Sequence, residues 1–146
     1  MEQAIKMRKI NEIIVHCSAT KPQTDIGVKE IRNMHVQDNK WADIGYHYVI
    51  RLNGYIEKGR SVYRAGAHCY GHNRHSIGVC YVGGLDQSGN ATDTRTPAQK
   101  KALRKLLEEL VSMYHCPIFG HRDFAAKDCP CFDARTEYAD IYKQYV

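Results

Sequence analysis

The sequence has 146 residues, the usual length of one domain, and is long enough to bury a hydrophobic core without disulfides or a structural metal. Hydrophobic residues make up 43% and charged residues 25%, as is typical of globular proteins, and no apolar run approaches the roughly 18 residues that a membrane-spanning helix needs. Lysine and arginine outnumber aspartate and glutamate by 21 to 16, so the mildly basic surface favours an anionic polymer without specifying which one.

The first predicted elements are a strand and a helix. The β-branched run Ile13–Val15 predicts a buried strand that ends at His16. A helix is predicted over Val28–Asp38, with Ile31 and Met34 on its inner face. A strand over residues 46–51, a tight turn at residues 53–54 and a strand over residues 77–82 follow, the last stopped by two glycines.

The second half of the chain is mostly helical. Thr96 followed by Pro97 and Gln99 forms a capping box, which predicts a helix from Pro97 to about His115. One apolar stripe is predicted along this helix, formed by Leu103, Leu106, Leu107, Leu110, Val111 and Tyr114. A short strand over residues 117–119 leads into His121, and Asp133 can cap a last helix. These elements predict an α/β fold, a single domain over residues 1–146 with its core at about 12–143. A central mixed β-sheet would be flanked by helices.

Six cysteines raise the question of disulfides, but Met1 to Ile10 carries charge and lacks the apolar segment of a secretory signal. We therefore expect synthesis in the cytoplasm without a signal peptide, where cysteines are more often buried small hydrophobes or metal ligands. The six are Cys17, Cys69, Cys80, Cys116, Cys129 and Cys131. We expect most of them to be buried and treat Cys129 as the exception.

Three side chains could form a metal site. His16 and His121 both follow predicted strands, and Cys129 lies eight residues after His121 across a loop. Two imidazole nitrogens and one thiolate suit zinc, and three protein ligands leave a fourth position for water, which is the pattern of catalytic zinc. The alternative is a closed structural site built from Cys116, Cys129, Cys131 and a histidine.

Five motifs in the same order resemble one family, the zinc-dependent N-acetylmuramoyl-L-alanine amidases of the phage lysozyme type, which are related to the peptidoglycan recognition proteins. The motifs are VHCSAT at 15–20, DIGYHY at 43–48, HSIGVC at 75–80, TPAQ at 96–99, and GHRD at 120–123 followed by Cys129-Pro130. The resemblance extends from about Ile13 to Phe132. It implies the amidase and recognition-protein fold and hydrolysis of the bond between the lactyl group of N-acetylmuramic acid and L-alanine in bacterial peptidoglycan.

The resemblance also implies roles for individual residues. His16, His121 and Cys129 match the ligands of one Zn²⁺ per chain. Tyr46 matches the tyrosine beside the attacking water, and Lys127 matches a lysine that phage-type members place near the metal. Which of the two is the general acid or base and which stabilises the oxyanion stays open. Segments that line the substrate groove or its floor in the family contain His68, Asn73 and Ser76.

One position departs from the family pattern. Cys131 stands where relatives usually have glycine or serine, so a second thiol lies close to the predicted ligand. A thiol there could compete for zinc or oxidise against Cys129. We hypothesise that Cys129 is the ligand and that Cys131 is not.

The expected partner is bacterial peptidoglycan, with no membrane and no nucleic acid, and we expect a monomer. No separate cell-wall-binding domain is predicted, and the enzyme would act on the wall after release, as an endolysin or prophage enzyme does. One alternative is a peptidoglycan-binding module without catalysis. Another is a phage protein that also inhibits an RNA polymerase, which the basic charge permits but no motif supports.

Overall fold

The computed structural model describes residues 7–146, so the predicted charged N-terminus falls largely outside the described residues. Five strands form one sheet: β1 (Glu12–Cys17), β2 (Tyr48–Ile50), β3 (Ile56–Lys58), β4 (Ser76–Tyr81) and β5 (Ile118–Gly120). The helices are α1 (Val28–Asn33), which continues as a π-helical turn over Met34–Asp38, α2 (Pro97–Tyr114), α3 (Ala134–Glu137) and α4 (Ala139–Lys143). The α/β architecture predicted from the sequence is confirmed.

The sheet is mixed, with the strand order β3-β2-β4-β1-β5. Strand β1 pairs in parallel with both β4 and β5, and β2 pairs in parallel with β4. Only β3 is antiparallel, because it follows β2 through the predicted tight turn, where Gly54 has a φ of 87°. Parallel strands carry their loops at the same edge, so the segments after β1 and β5 emerge side by side.

Side chains of the sheet alternate between two hydrophobic layers. Ile13 and Val15 of β1 pack with the leucine stripe of α2 and with the C-terminal helices. A smaller cluster on Val28 and Ile31 of α1 packs with Cys80 of β4. His16 falls between Val15 and Cys17 in the alternation, and it is 1% exposed. The sheet therefore holds this histidine in the interior, beside the loops at its carboxyl edge.

Helix α2 begins as its sequence predicts. The Thr96 hydroxyl accepts from the Gln99 N–H at 3.0 Å, and the Gln99 side chain accepts from the Thr96 N–H at 2.9 Å. The predicted stripe of Leu103, Leu106, Leu107, Leu110 and Val111 is buried. The Gln99 amide also donates to the carbonyl of Val82 at 2.8 Å, so the cap is joined to the end of β4.

Two helix predictions need correction. Met34, expected on an inner face, is 40% exposed, because the chain changes there to π-helical winding and the face turns away from the sheet. The last helix, expected as one element from Asp133, is divided at Tyr138 into α3 and α4. Asp133 does cap it, accepting from the Thr136 N–H at 3.2 Å.

A buried arginine joins the segment before α2 to the C-terminal helices. The Arg95 guanidinium donates to Glu137 at 2.7 Å and to Asp93 at 2.9 Å, and also to the Tyr138 hydroxyl at 2.7 Å. It lies over the Phe132 ring, 3.4 Å from its centroid. Throughout residues 7–146, every buried side-chain nitrogen or oxygen has a hydrogen-bond partner.

None of the helices in residues 7–146 combines the length and the apolar character that crossing a bilayer requires.

Candidate metal centre and groove

The register of the sheet brings the two predicted histidine ligands together. Val15 of β1 pairs with Gly120 of β5, so the next residues, His16 and His121, lie side by side. Their ring centroids are 4.5 Å apart. His16 is fully enclosed, whereas His121 begins the turn after β5 and is half-buried.

Cys129 completes the group from the loop after that turn. The Arg122 N–H donates to the Cys129 carbonyl at 2.8 Å, which closes the eight-residue segment between His121 and Cys129. The Cys129 Sγ accepts from the Cys17 N–H at 3.2 Å. This hydrogen bond fixes the position of the sulfur, and cysteine binds metals as the thiolate.

The three donors match the geometry of zinc. One ligating atom from each of His16, His121 and Cys129 lies within 4.8 Å of the others. The Cys129 Sγ is 3.9 Å from the His16 Nδ1. Bond lengths near 2.3 Å to sulfur and 2.0–2.1 Å to nitrogen, at a tetrahedral angle, separate the two atoms by about 3.6 Å. The residues therefore fit zinc with only a small adjustment.

A hydrogen-bonded chain holds the His16 ring from behind. The His16 Nε2 lies 2.8 Å from the His68 Nδ1, and the His68 Nε2 lies 3.1 Å from the Ser76 hydroxyl. If the His16 Nδ1 faces the metal, its Nε2–H donates to His68, and the His68 Nε2–H donates to Ser76. Partners of this kind fix the tautomer and orientation of a ligating histidine.

The histidines of this region are held neutral. Burial lowers the pKa of His16 and of His68 well below the usual range, and the neighbouring histidines lower both further. Burial also lowers the pKa of His121, with a smaller effect from the charge of Lys127. Neutral imidazole is the form that binds metals.

Tyr46 and Lys127 lie on different sides of the group. The Tyr46 ring centroid is 5.1 Å from that of His16, and burial raises the Tyr46 pKa well above its usual range, so the hydroxyl keeps its proton. Lys127 is exposed and lines the groove in front of the histidines, together with His121.

That groove has a volume of about 460 Å³. His68 contributes to its floor and Asn73 to its wall; the Asn73 side chain accepts from the N–H groups of His68 and Cys69 at 2.9 and 3.0 Å. Ser76, expected near the groove, is fully buried beneath His68, so its side chain does not reach the groove surface.

Three aromatic residues of the groove were not identified from the sequence. Trp41, Tyr70 and Phe124 line it, and Tyr70 is 99% exposed. They lie in loops and turns with no periodic pattern, so nothing in the sequence distinguishes them from other surface aromatics. The support of His16 by His68 was also missed, because 52 positions separate the two residues.

The closed four-ligand alternative is not formed. The group of ligating side chains found in residues 7–146 contains neither Cys116 nor Cys131. Cys116 is buried in the larger core cluster, and the Cys131 thiol points toward Cys17 and toward the carbonyl of Gly84. The arrangement is therefore a group of three donors beside an open groove.

Comparison with known proteins shows the family of the chain. The family model described as N-acetylmuramoyl-L-alanine amidase matches residues 6–132. The endolysin of Klebsiella phage KP32 is 46% identical over 134 residues, which cover 91% of this chain and 88% of the phage protein. The endolysin of Escherichia phage T7 is 45% identical over 124 residues, covering 84% of this chain and 82% of the relative.

Solved structures share the fold. The N-acetylmuramoyl-L-alanine amidase LysC from Clostridium intestinale superposes with a TM-score of 0.76 at 24% identity, covering 99% of this chain and 89% of that one. The peptidoglycan recognition protein PGRP-SA of the bumblebee superposes with a TM-score of 0.73 at 21% identity, covering 96% and 89%. At these identities the likeness shows the fold alone.

Proposed function

The chain belongs to the family of N-acetylmuramoyl-L-alanine amidases, and we propose that it performs this hydrolysis with one Zn²⁺ held by His16, His121 and Cys129. The observation that supports the zinc site is the gathering of two imidazoles and one thiolate within 4.8 Å at the edge of a groove. The scissile bond joins the lactyl group of N-acetylmuramic acid to L-alanine in bacterial peptidoglycan.

Zinc at this position would lower the pKa of water toward about 7 and polarise the scissile carbonyl. The chain's own residues supply the rest. His68 and Ser76 orient His16 from inside the protein, and the Cys17 N–H orients the Cys129 sulfur. These contacts fix the donors before the substrate arrives, which avoids reorganisation during the reaction.

Tyr46 and Lys127 serve the charge that develops on the substrate. Because burial keeps the Tyr46 hydroxyl protonated, Tyr46 can donate a hydrogen bond to the carbonyl oxygen as that oxygen becomes negative. The Lys127 ammonium, on the open side of the groove, adds positive charge there and can pass a proton to the leaving amine of L-alanine.

The groove beside the three proposed ligands is the proposed binding site for peptidoglycan. Asn73 holds the backbone of its wall, and His68 forms part of its floor. The relatives named endolysins come from phages, and we propose that this protein, too, acts on the cell wall after release. It would act as a monomer, in which this domain both binds and cuts the substrate.

The test is to incubate purified peptidoglycan with the protein and count the new chemical ends, with and without a zinc chelator. We expect new L-alanine amino groups and no new reducing sugars. We also expect the activity to be lost with the chelator and to recover when zinc is returned. New reducing ends would contradict the amidase reaction. Activity that survives full removal of zinc would contradict the proposed zinc site but not the amidase reaction.

Two variants in the same assay test the remaining roles. Tyr46→Phe and Lys127→Met should retain bound zinc while releasing L-alanine ends more slowly, because each removes a group that acts on the substrate. Loss of zinc from either variant would show that the residue maintains the metal site instead. Arg74→Met, a cation on the exposed surface, is the matched control for Lys127→Met.

A further inference from the structure

Two thiols beside the metal centre are in contact with each other. The Sγ atoms of Cys17 and Cys131 are 3.9 Å apart, although 114 positions separate the residues in the chain. Cys17 ends β1, directly after His16, and Cys131 lies two residues after Cys129. From this geometry we propose that Cys17 and Cys131 are a site of disulfide formation when the protein meets a small-molecule disulfide such as oxidised glutathione.

The surroundings of the pair direct the two sulfurs toward each other. Cys131 has a φ of 73°, a left-handed conformation that a non-glycine residue rarely adopts, and its thiol contacts the Gly84 carbonyl at 3.4 Å. A Cβ placed on Gly84 would come within 2.5 Å of the Cys17 Sγ, so Gly84 leaves room for the Cys17 sulfur. A disulfide needs the sulfurs about 2.0 Å apart, so they must approach each other by side-chain rotation and a small movement of the loop.

The two thiols differ in access, which sets the order of events. Cys131 is partly exposed, whereas Cys17 is 5% exposed. The Cys131 sulfur attacks one sulfur of the oxidant, forming a mixed disulfide and releasing one thiol, which carries away the Cys131 proton. The Cys17 sulfur then attacks the Cys131 sulfur and releases the second thiol with the Cys17 proton. Two protein thiols are oxidised to one disulfide, and one small disulfide is reduced to two thiols.

Cys129 takes a different place in the same cluster. Its sulfur faces the His16 Nδ1 at 3.9 Å and accepts the Cys17 N–H at 3.2 Å, so its contacts are those of the metal site. A bond between Cys17 and Cys131 would leave that sulfur free. It would also join the strand that carries His16 to the loop that carries Cys129, and so hold two of the donors in place.

The experiment uses the purified full chain, incubated with oxidised glutathione at neutral pH. Disulfide exchange takes seconds to hours, so the incubation should extend over hours. Mass spectrometry of the digested, unreduced protein should identify a peptide that links Cys17 to Cys131. The cross-linked protein should have an unfolding equilibrium constant about 30-fold lower than the reduced protein, because the bond constrains a long loop of the unfolded chain.

Matched variants separate this site from its neighbours and from the proposed zinc chemistry. Cys131→Ser should abolish the linked peptide. Cys116→Ser, which removes a buried cysteine elsewhere, should leave it, and so should Cys129→Ser, whether or not zinc binds to the protein. Absence of the Cys17–Cys131 peptide from the wild-type protein, or a link through Cys129 in its place, would overturn the proposal.

Discussion

Two regions of this protein bury polar side chains in opposite ways. Around His16, the sheet encloses neutral histidines whose pKa is lowered, and His16, His121 and Cys129 form a group of possible metal ligands beside the groove that His121 lines. Around Arg95, the chain encloses a charged guanidinium whose donors are used by Asp93, Glu137 and Tyr138.

The difference distinguishes a functional cluster from a structural one. Burial alone does not distinguish the two regions, because both contain polar groups with almost no exposure. The arginine cluster is closed, since its hydrogen bonds are made within the protein. The histidine cluster is complete on its inner side and open on its outer side, where a metal can bind. A group of possible metal-ligating atoms beside a groove, rather than buried polarity, therefore identifies the site.

The largest effect is expected when the proposed thiolate ligand is removed. Cys129→Ser should reduce bound zinc to a trace and amidase activity to background, because two imidazoles and a hydroxyl are a poor set of ligands for zinc. The fold should persist, since Cys129 lies in a loop at the margin of the core. Metal analysis, release of L-alanine ends and circular dichroism measure the three outcomes.

Cys116→Ser is the control, because it removes a buried cysteine that is not one of the three proposed ligands. Full zinc binding by Cys129→Ser would contradict the assignment of the thiolate ligand.

The next largest effect is expected when the ion pairs of Arg95 are broken. Arg95→Met should lower the free energy of unfolding by about 2–3 kcal/mol, toward the low end for a broken buried ion pair, because Asp93 and Glu137 are partly exposed and can regain water. Zinc binding should be unchanged. Urea unfolding followed by fluorescence gives the stability, and Arg104→Met, which removes an exposed pair with Asp140, should cost less than about 1 kcal/mol.

A smaller effect is expected when the hydrogen bond between His16 and His68 is removed. His68→Ala removes the acceptor for the His16 Nε2–H and should weaken zinc binding by about 10- to 100-fold, as is usual for partners of a ligating histidine. Competition with a chromophoric chelator measures the affinity. His75→Ala, on the exposed surface, is the control, and an unchanged affinity in His68→Ala would show that the sheet alone orients His16.

The last test concerns the pH dependence of stability. Burial lowers the pKa of His47 from 6.5 to about 4, and that of His68 is also lowered, so the unfolded chain binds more protons than the folded one as the pH falls below 6.5. Stability should therefore fall from about pH 6.5 downward, by at most about 1.4 kcal/mol per pH unit for each histidine. Hydrogen bonds from Arg95 lower the pKa of Glu137. The contribution of this carboxylate to stability is therefore lost only below about pH 4.5.

Urea unfolding of Cys129→Ser between pH 7 and 3, with chelator present, keeps metal binding out of this measurement. Adding Arg95→Met should reduce the fall below about pH 4.5 and leave the fall above it unchanged. A stability that stays constant between pH 7 and 5 would contradict the histidine contribution.

Local signals explain which parts of the molecule could be predicted from sequence. The capping box at Thr96, the leucine stripe and the turn at Gly54 depend on neighbours within a few residues, and all three have the expected structure. His16 and His121 were predicted to follow strands, and the parallel pairing of β1 with β5 brings the two residues together.

The parts that could not be predicted depend on side chains that meet across long stretches of sequence. Arg95 meets Glu137 over 42 positions, and Cys17 meets Cys131 over 114, with no periodic pattern that links either pair. Met34 was placed wrongly because a change from α- to π-helical winding leaves no signature in the hydrophobic pattern. Contacts of this kind are decided by packing, which is known only once the sheet is assembled.

The separation of the proposed ligands along the chain also sets when a complete zinc site could form. His16 precedes Cys129 by 113 positions. A ribosome that adds roughly 5–20 residues per second needs about 6–23 seconds to cover that distance. For most of this interval the nascent chain has only His16 of the three proposed ligands, because His121 is added just eight residues before Cys129. A chain interrupted before residue 129 would lack the proposed thiolate ligand, so translation itself delays the formation of the proposed zinc site.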